Sequence, residues 1–288
     1  MKLFLSKTDE VQSGASVYDT VEGLSDAINE WKSKAHMASI TNREFIKDLE
    51  HCKDPANEAM FQRTVLMSIL NRHQISDKFD FNCEGQWSLR SKYYPPPSTE
   101  ENSIAEPKPD LAVFFRLDSL VGRGPHFKSM PFPDHLKLCM GPDGYMNGCF
   151  LFLLIEAKRG FHDLTPALMA NMHSASQALF NIYVFMANAR HRTRFFYDVR
   201  VFSIAINAEK FALQVHRANT APGRNSDELV FCYDDICSGY MHKRDDIFNL
   251  IQNILVGYAE ITLFDVLKQS VLVYLTDPWL LELTPYRY

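Results

Sequence analysis

Two apolar runs, each meeting charge at one end, dominate the hydrophobic pattern of the chain. Leu111-Ala112-Val113-Phe114-Phe115 follows Pro109-Asp110, and Leu151-Phe152-Leu153-Leu154-Ile155, after Phe150, leads into Glu156-Ala157-Lys158. Unbroken runs of this kind predict strands buried on both faces. Strand side chains alternate, so Glu156 and Lys158 fall on one face, about 6.5–7 Å apart along the strand. If the two strands pair side by side, Asp110 and Glu156 meet at one end.

Helical spacing surrounds these strands. Leu24, Ala27, Ile28 and Trp31, then Phe45, Ile46 and Leu49, predict two amphipathic helices, the second capped by Thr41 with Glu44 three residues on. Asp54-Pro55 starts a further helix running to about Arg72. Glu58, Gln62, Val65 and Ile69 share one face of it. A strand is expected around Trp87–Arg90, then a proline-rich loop to Pro107.

Residues 117–148, rich in glycine and proline, read as a second irregular stretch, and a loop that long is often functional. Thr165-Pro166 begins a helix to about Arg190, with Met169, Met172, Ser176, Leu179, Tyr183 and Met186 on a core face and Gln177 beside it, four residues after His173. Strands follow at Val199–Ile206, Phe211–His216 and Leu229–Tyr233. Residues 245–275 are expected to be helical, and the tail Leu283–Tyr288 is aromatic. The order predicts an α/β fold with a mixed sheet flanked by helices.

Composition narrows the picture. Of 288 residues, 46% are hydrophobic and 12% aromatic, which excludes global disorder. A net charge of −5 argues against a generic polyanion binder, so any nucleic-acid contact must rest on a local patch. The best patch is Arg190, His191, Arg192 and Arg194, followed by Phe195-Phe196-Tyr197. Phosphate contacts with stacking suit it; basic residues closing a helix and aromatics entering a strand suit it better. Arg123 and Arg159 would add positive charge. The six cysteines contain no C-x-x-C pair, which favours reduced thiols and an intracellular setting, nucleus or cytoplasm, over disulfides or zinc. The N-terminus lacks a signal-peptide core, and no run of about 20 apolar residues predicts a membrane span.

Two carboxylates and a lysine around one point make a site for a hard divalent cation. Pro109-Asp110 at the start of one strand and Glu156-Ala157-Lys158 at the end of the next resemble the signature of the PD-(D/E)XK nuclease superfamily, with its restriction-endonuclease-like fold. The chain also looks similar to uncharacterised fungal proteins with such a domain. The resemblance covers about residues 55–216, leaving a helical N-terminal extension (20–52) and a C-terminal extension (225–288) of a single domain. It implies a Mg²⁺- or Mn²⁺-dependent nuclease acting on DNA more than RNA. Asp110 and Glu156 would be metal ligands, with the Ala157 carbonyl and Glu58 beside them. Lys158 would orient or deprotonate the attacking water, and Gln177 would position substrate or water.

Departures from the family pattern are the 46 positions between Asp110 and Glu156 and the Asn181 four residues after Gln177, where the glutamine-bearing subgroup often has tyrosine. The plainer reading of Glu58 is an acid in the first turn of a helix. The rival for the whole site is a buried salt-bridge cluster in a catalytically silent fold that serves as an interaction or effector module, working through 117–148 or the C-terminus.

Overall fold

A computed structural model describes residues 5–7, 26–27, 30, 34–52, 58–87, 107–122, 134–141, 147–158, 161–220 and 229–276. Among these, seven strands form one mixed sheet in the order β1-β7-β6-β5-β4-β3-β2. The strands are β1 (Leu5–Lys7), β2 (Phe79–Cys83), β3 (Leu111–Arg116), β4 (Gly148–Ala157), β5 (Val201–Ile206), β6 (Lys210–Thr220) and β7 (Leu229–Tyr240). β2, β3 and β4 form an antiparallel meander, β5 returns parallel to β4, and β6 and β7 are antiparallel again.

Helix α1 (Asn42–His51) carries the expected capping box, Thr41 accepting from the Glu44 amide and Glu44 accepting from that of Thr41. Next, α2 (Glu58–Phe61) passes through a π-helical turn (Gln62–Leu66) into α3 (Met67–Leu70). Short helices α4 (Leu117–Val121) and α5 (Asp134–Leu138) lie within the stretch expected to be irregular. Each is a single turn that buries two leucines, too short to show a period. α6 (Thr165–Asn188) is the crossover between β4 and β5, and α7 (Arg192–Asp198) follows it. α8 (Arg244–Asn253), a π-helical segment (Ile254–Leu263) and α9 (Phe264–Thr276) end the described chain.

Several expectations shift. The strand foreseen at Trp87–Arg90 lies earlier, at β2; Trp87 is outside it and residues 88–90 are outside the described residues. Phe195-Phe196-Tyr197 sit in α7 rather than entering a strand. Met169, assigned to the core face of α6, is 58% exposed. Ser6 and Lys7 belong to β1, which pairs parallel with β7. The C-terminal part is integral to the core: β7 pairs along the whole of β6, and one apolar cluster joins Phe45 of α1, the sheet and Leu267 of α9. The tail Leu283–Tyr288 lies outside the described residues.

Helices cover both faces of the sheet. Ala205 of β5 packs against Leu164, Ala167 and Leu168 at the start of α6. The next residue along β5 points the other way: Phe202 and Ile204 share the face on which Tyr258 meets Phe202, ring centroids 5.2 Å apart. Residues 244–276 are long and apolar enough to cross a membrane, but 67% of that apolar window is buried within the fold, as suits a core helix. Tyr258 also ties this layer to the sheet. Its hydroxyl accepts from the Arg200 amide and reaches the Asp198 and Arg200 carbonyls at 2.9 and 3.1 Å. Tyr258→Phe is expected to cost about 1–3 kcal/mol by leaving buried backbone groups without that partner, measured by urea denaturation.

The β3–β4 ladder is irregular where β4 begins. Phe114 pairs with Leu151 and Phe115 with Cys149, so Phe150 and Phe152 are extra residues in a bulged strand. Phe150 has a φ of 56°, a conformation that costs a bulky residue about 1–3 kcal/mol. Its amide donates to the Cys139 carbonyl at 2.8 Å and its ring packs on Phe185 at 4.9 Å, which hold it there. Gly148 lies so close to the Phe114 ring that a Cβ would stand 2.3 Å from it. Gly148→Ala is expected to destabilise by about 2 kcal/mol, seen as a lower urea midpoint.

Candidate functional site

The register of the central strands builds the site. Leu111 pairs with Ile155, and one further step along this antiparallel ladder sets Asp110 opposite Glu156. Opposed antiparallel residues project from the same face. Glu156 in turn pairs with Ala205, which faces α6. The two carboxylates predicted to meet therefore lie at the same end of adjacent strands, on the α6 face.

Asp110 is held from three directions. Its Oδ2 accepts from the Ala157 amide at 2.7 Å, and its Oδ1 accepts from Gln62 Nε2 at 2.9 Å. Its backbone carbonyl accepts from the Glu84 amide at 3.2 Å. β3 begins only at Leu111, so the carboxylate takes the place of a ladder partner for the last amide of β4. A carboxylate oxygen has two acceptor directions, so an oxygen that accepts one N–H bond is able to accept a second bond.

Glu156 is buried, only 7% exposed, and the Lys158 ammonium stands 3.9 Å from its Oε2. The Lys158 side chain is half-buried, and its amide donates to the Ile206 carbonyl at 2.8 Å, continuing the β4–β5 ladder one residue past Ala157. This amide contact fixes the stem of the lysine while its tip reaches partly into solvent.

Glu58 opens α2, but its side chain is outside the described residues. Gln62, one turn later, is the residue of that helix that contacts Asp110. It had been read only as part of a helical face. The available signal was a polar residue at the i+4 position from Glu58 within an otherwise apolar stripe. Its position at the start of a π-helical turn follows no sequence rule, although such turns recur at functional sites.

Gln177 lies elsewhere on the α6 face. Its Nε2 is 3.1 Å from His173 Nε2, and its Oε1 is buried without a hydrogen-bond partner. It lines a pocket with Trp87, Phe150 and Asn181, to which Asp110, Glu156 and Lys158 do not contribute. The structure thus brings together Asp110, Ala157, Glu156 and Lys158, adds Gln62, and places Gln177 on a separate wall.

The arginine cluster is engaged in the fold. Arg194 Nε contacts Asp198 Oδ2 at 3.1 Å and its Nη1 donates to Gln269. Arg192 lies over the Tyr183 ring, and His191 Nδ1 is 2.8 Å from Ser270 Oγ. These contacts tie α7 to α6 and α9. Arg123 and Arg159 lie outside the described residues.

Oxygen donors of this kind suit a hard cation such as Mg²⁺. Among the described residues, however, no three His, Cys, Asp or Glu side chains gather closely enough to hold a metal by themselves. Asp110 and Glu156 supply two carboxylates, and a backbone carbonyl or water must complete any coordination shell. A search of curated proteins gives no match. A family model described as a domain of unknown function, DUF7924, matches residues 28–244, extending beyond the 55–216 core on both sides. The chain belongs to the DUF7924 family.

Proposed function

We propose that this protein is a Mg²⁺-dependent nuclease of the PD-(D/E)XK type, with a restriction-endonuclease-like core, acting on DNA in preference to RNA. The observation that carries the reading is the juxtaposition of Asp110 and Glu156 at one end of β3 and β4, with the Lys158 ammonium 3.9 Å from Glu156. The order of elements supports it: a helix, the β2-β3-β4 meander, the α6 crossover, then β5 parallel to β4.

Asp110, Glu156 and the Ala157 carbonyl would hold the cation, with Glu58 as a further donor. When bound, Mg²⁺ supplies charge neutralisation at the phosphate and activation of a water. The chain itself supplies orientation. Gln62 and the Ala157 amide hold the Asp110 carboxylate in a set orientation. Lys158, anchored through its amide to β5, carries a positive charge to the rim, where it orients water and offsets charge on a phosphoryl oxygen.

Purified full-length protein with Mg²⁺ or Mn²⁺ is expected to cut DNA, with chelation stopping the reaction and Glu156→Gln removing it. A folded protein that neither cuts nucleic acid nor binds divalent cations by calorimetry overturns the proposal.

One observation favours the second reading, a catalytically silent module. Both Asp110 oxygens already accept hydrogen bonds that close the sheet, so the cluster has a structural purpose without metal. Under that reading divalent ions leave the melting temperature unchanged, and the working surface lies at residues 117–148 or the C-terminus.

A further inference from the structure

The pocket that receives Gln177 has a polarity pattern of its own. Three side-chain atoms in it are buried without a hydrogen-bond partner: Trp87 Nε1, Gln177 Oε1 and Asn181 Oδ1. Their residues are 8%, 5% and 9% exposed. Asn181 Nδ2 donates to the Leu138 carbonyl at 2.9 Å, which turns its oxygen toward unmet demand. The remaining wall is apolar, from Pro107, Phe150, Leu151 and Ile182 among others. An unpaired buried polar group is costly because it gives up its hydrogen bonds to water, so three beside one pocket point to a guest.

The guest must accept one hydrogen bond, from the indole N–H, and donate two, to the amide oxygens. No carboxylate lines the pocket, which disfavours a cation, and two acceptor oxygens disfavour a phosphate. The enclosed space takes about one water-sized group, whereas the space between the walls, open solvent included, is about 320 Å³. A primary amino group matches the enclosed space, and the ring that carries it takes up the open part.

We propose that this pocket reads the amino edge of a nucleobase, cytosine or adenine. The two amino hydrogens go to Gln177 and Asn181, and the adjacent ring nitrogen accepts from Trp87. Uracil, thymine and hypoxanthine present a carbonyl where the amino group is needed and are refused. Identifying the guest as a nucleobase rests on the nuclease reading; the donor–acceptor pattern does not. Trp87 and Asp110 are linked through the chain: the Trp87 amide donates to the Pro107 carbonyl at 2.8 Å, three residues before Asp110. The Trp87 ring packs on Phe114, which pairs with Leu151, so the pocket stands about 13 Å along β3 from Asp110.

The test is a titration of full-length protein in EDTA with cytidine, adenosine, uridine and inosine, following the Trp87 indole N–H by NMR, its peak assigned with Trp87→Phe. Cytidine and adenosine are expected to shift the peak saturably, uridine and inosine to leave it in place. Gln177→Leu is expected to weaken the response at least 10-fold, and Gln177→Glu, which keeps an acceptor, to restore it. Equal response to cytidine and uridine overturns the proposal, as does no response to either with one ordered water in the pocket of a crystal structure. The measurement needs no metal, so base discrimination by a wild-type protein that does not cut DNA with Mg²⁺ faults the nuclease reading alone. Cleavage without base discrimination faults this one alone.

Discussion

Lys158→Ala is expected to lower Mg²⁺-dependent cleavage at least 100-fold while leaving the protein folded. The size follows from the usual cost of removing a preorganised positive group or donor facing charge that develops during reaction, about 10²–10³-fold. Stability should hardly change. The Lys158–Glu156 pair is long at 3.9 Å, and the lysine side chain is 31% exposed, so the contact contributes at most about 1 kcal/mol. In a chain of this size that corresponds to a shift in Tm of roughly 2–4 °C or less. Asp110→Ala gives a less clean comparison. It strips hydrogen bonds from the Ala157 amide and from Gln62, at a cost of about 2 kcal/mol, so activity and folding fall together. Unchanged cleavage in Lys158→Ala, at equal Tm, would remove the lysine from the chemistry.

Acid lability is the second large effect. His216 is buried in β6, 2% exposed, with Nε2 2.7 Å from Ser203 Oγ. Burial, partly offset by the Asp235 carboxylate, pushes its pKa down to about 3 from an ordinary 6.5. A depressed histidine stays neutral in the fold while the unfolded chain takes up a proton below pH 6.5. Its contribution is therefore complete above pH 6.5 and is lost as pH falls from there toward 3. At about 1.4 kcal/mol per pH unit the loss reaches about 2 kcal/mol at pH 5 and about 3 kcal/mol at pH 4. Burial and the Arg194 charge lower the pKa of His191 as well, with the same sign. Urea titrations at pH 7.5, 6, 5 and 4 should show this slope, and His216→Gln should flatten it. A wild-type midpoint constant from pH 7.5 to 5 would mean that His216 is protonated in the fold.

The chemistry of β3 and β4 was legible because a buried strand announces itself by continuous apolar residues, and a charge at its end stands out. That pattern by itself sets Asp110 and Glu156 at the ends of two buried strands. β2 was hidden because Phe-Asp-Phe-Asn-Cys is only five residues long with two polar positions, and the bulkier Trp87 nearby drew the assignment away. α7 was missed because Phe195-Phe196-Tyr197 favours strands locally, whereas packing of Phe195 on Tyr183, ring centroids 5.2 Å apart, places it in a helix. Gln62 could not be foreseen as the partner of Asp110. That contact depends on where α2 crosses the sheet end, and on a π-helical turn in which the regular four-residue spacing no longer applies. Gln177 was found as a residue of interest, with Asn181 one helical turn on, but its neighbour Trp87 is brought there by tertiary packing alone.

The bond from the Ala157 amide to Asp110 has a consequence for how the molecule responds to its surroundings. The final rung of a central strand is closed by an ionisable side chain instead of a peptide carbonyl. Any group drawn to the same lone pairs competes with the rung. Fraying of the sheet end and occupancy of the acidic pair are thus one linked equilibrium, and the exchange rate of a single amide reports on both.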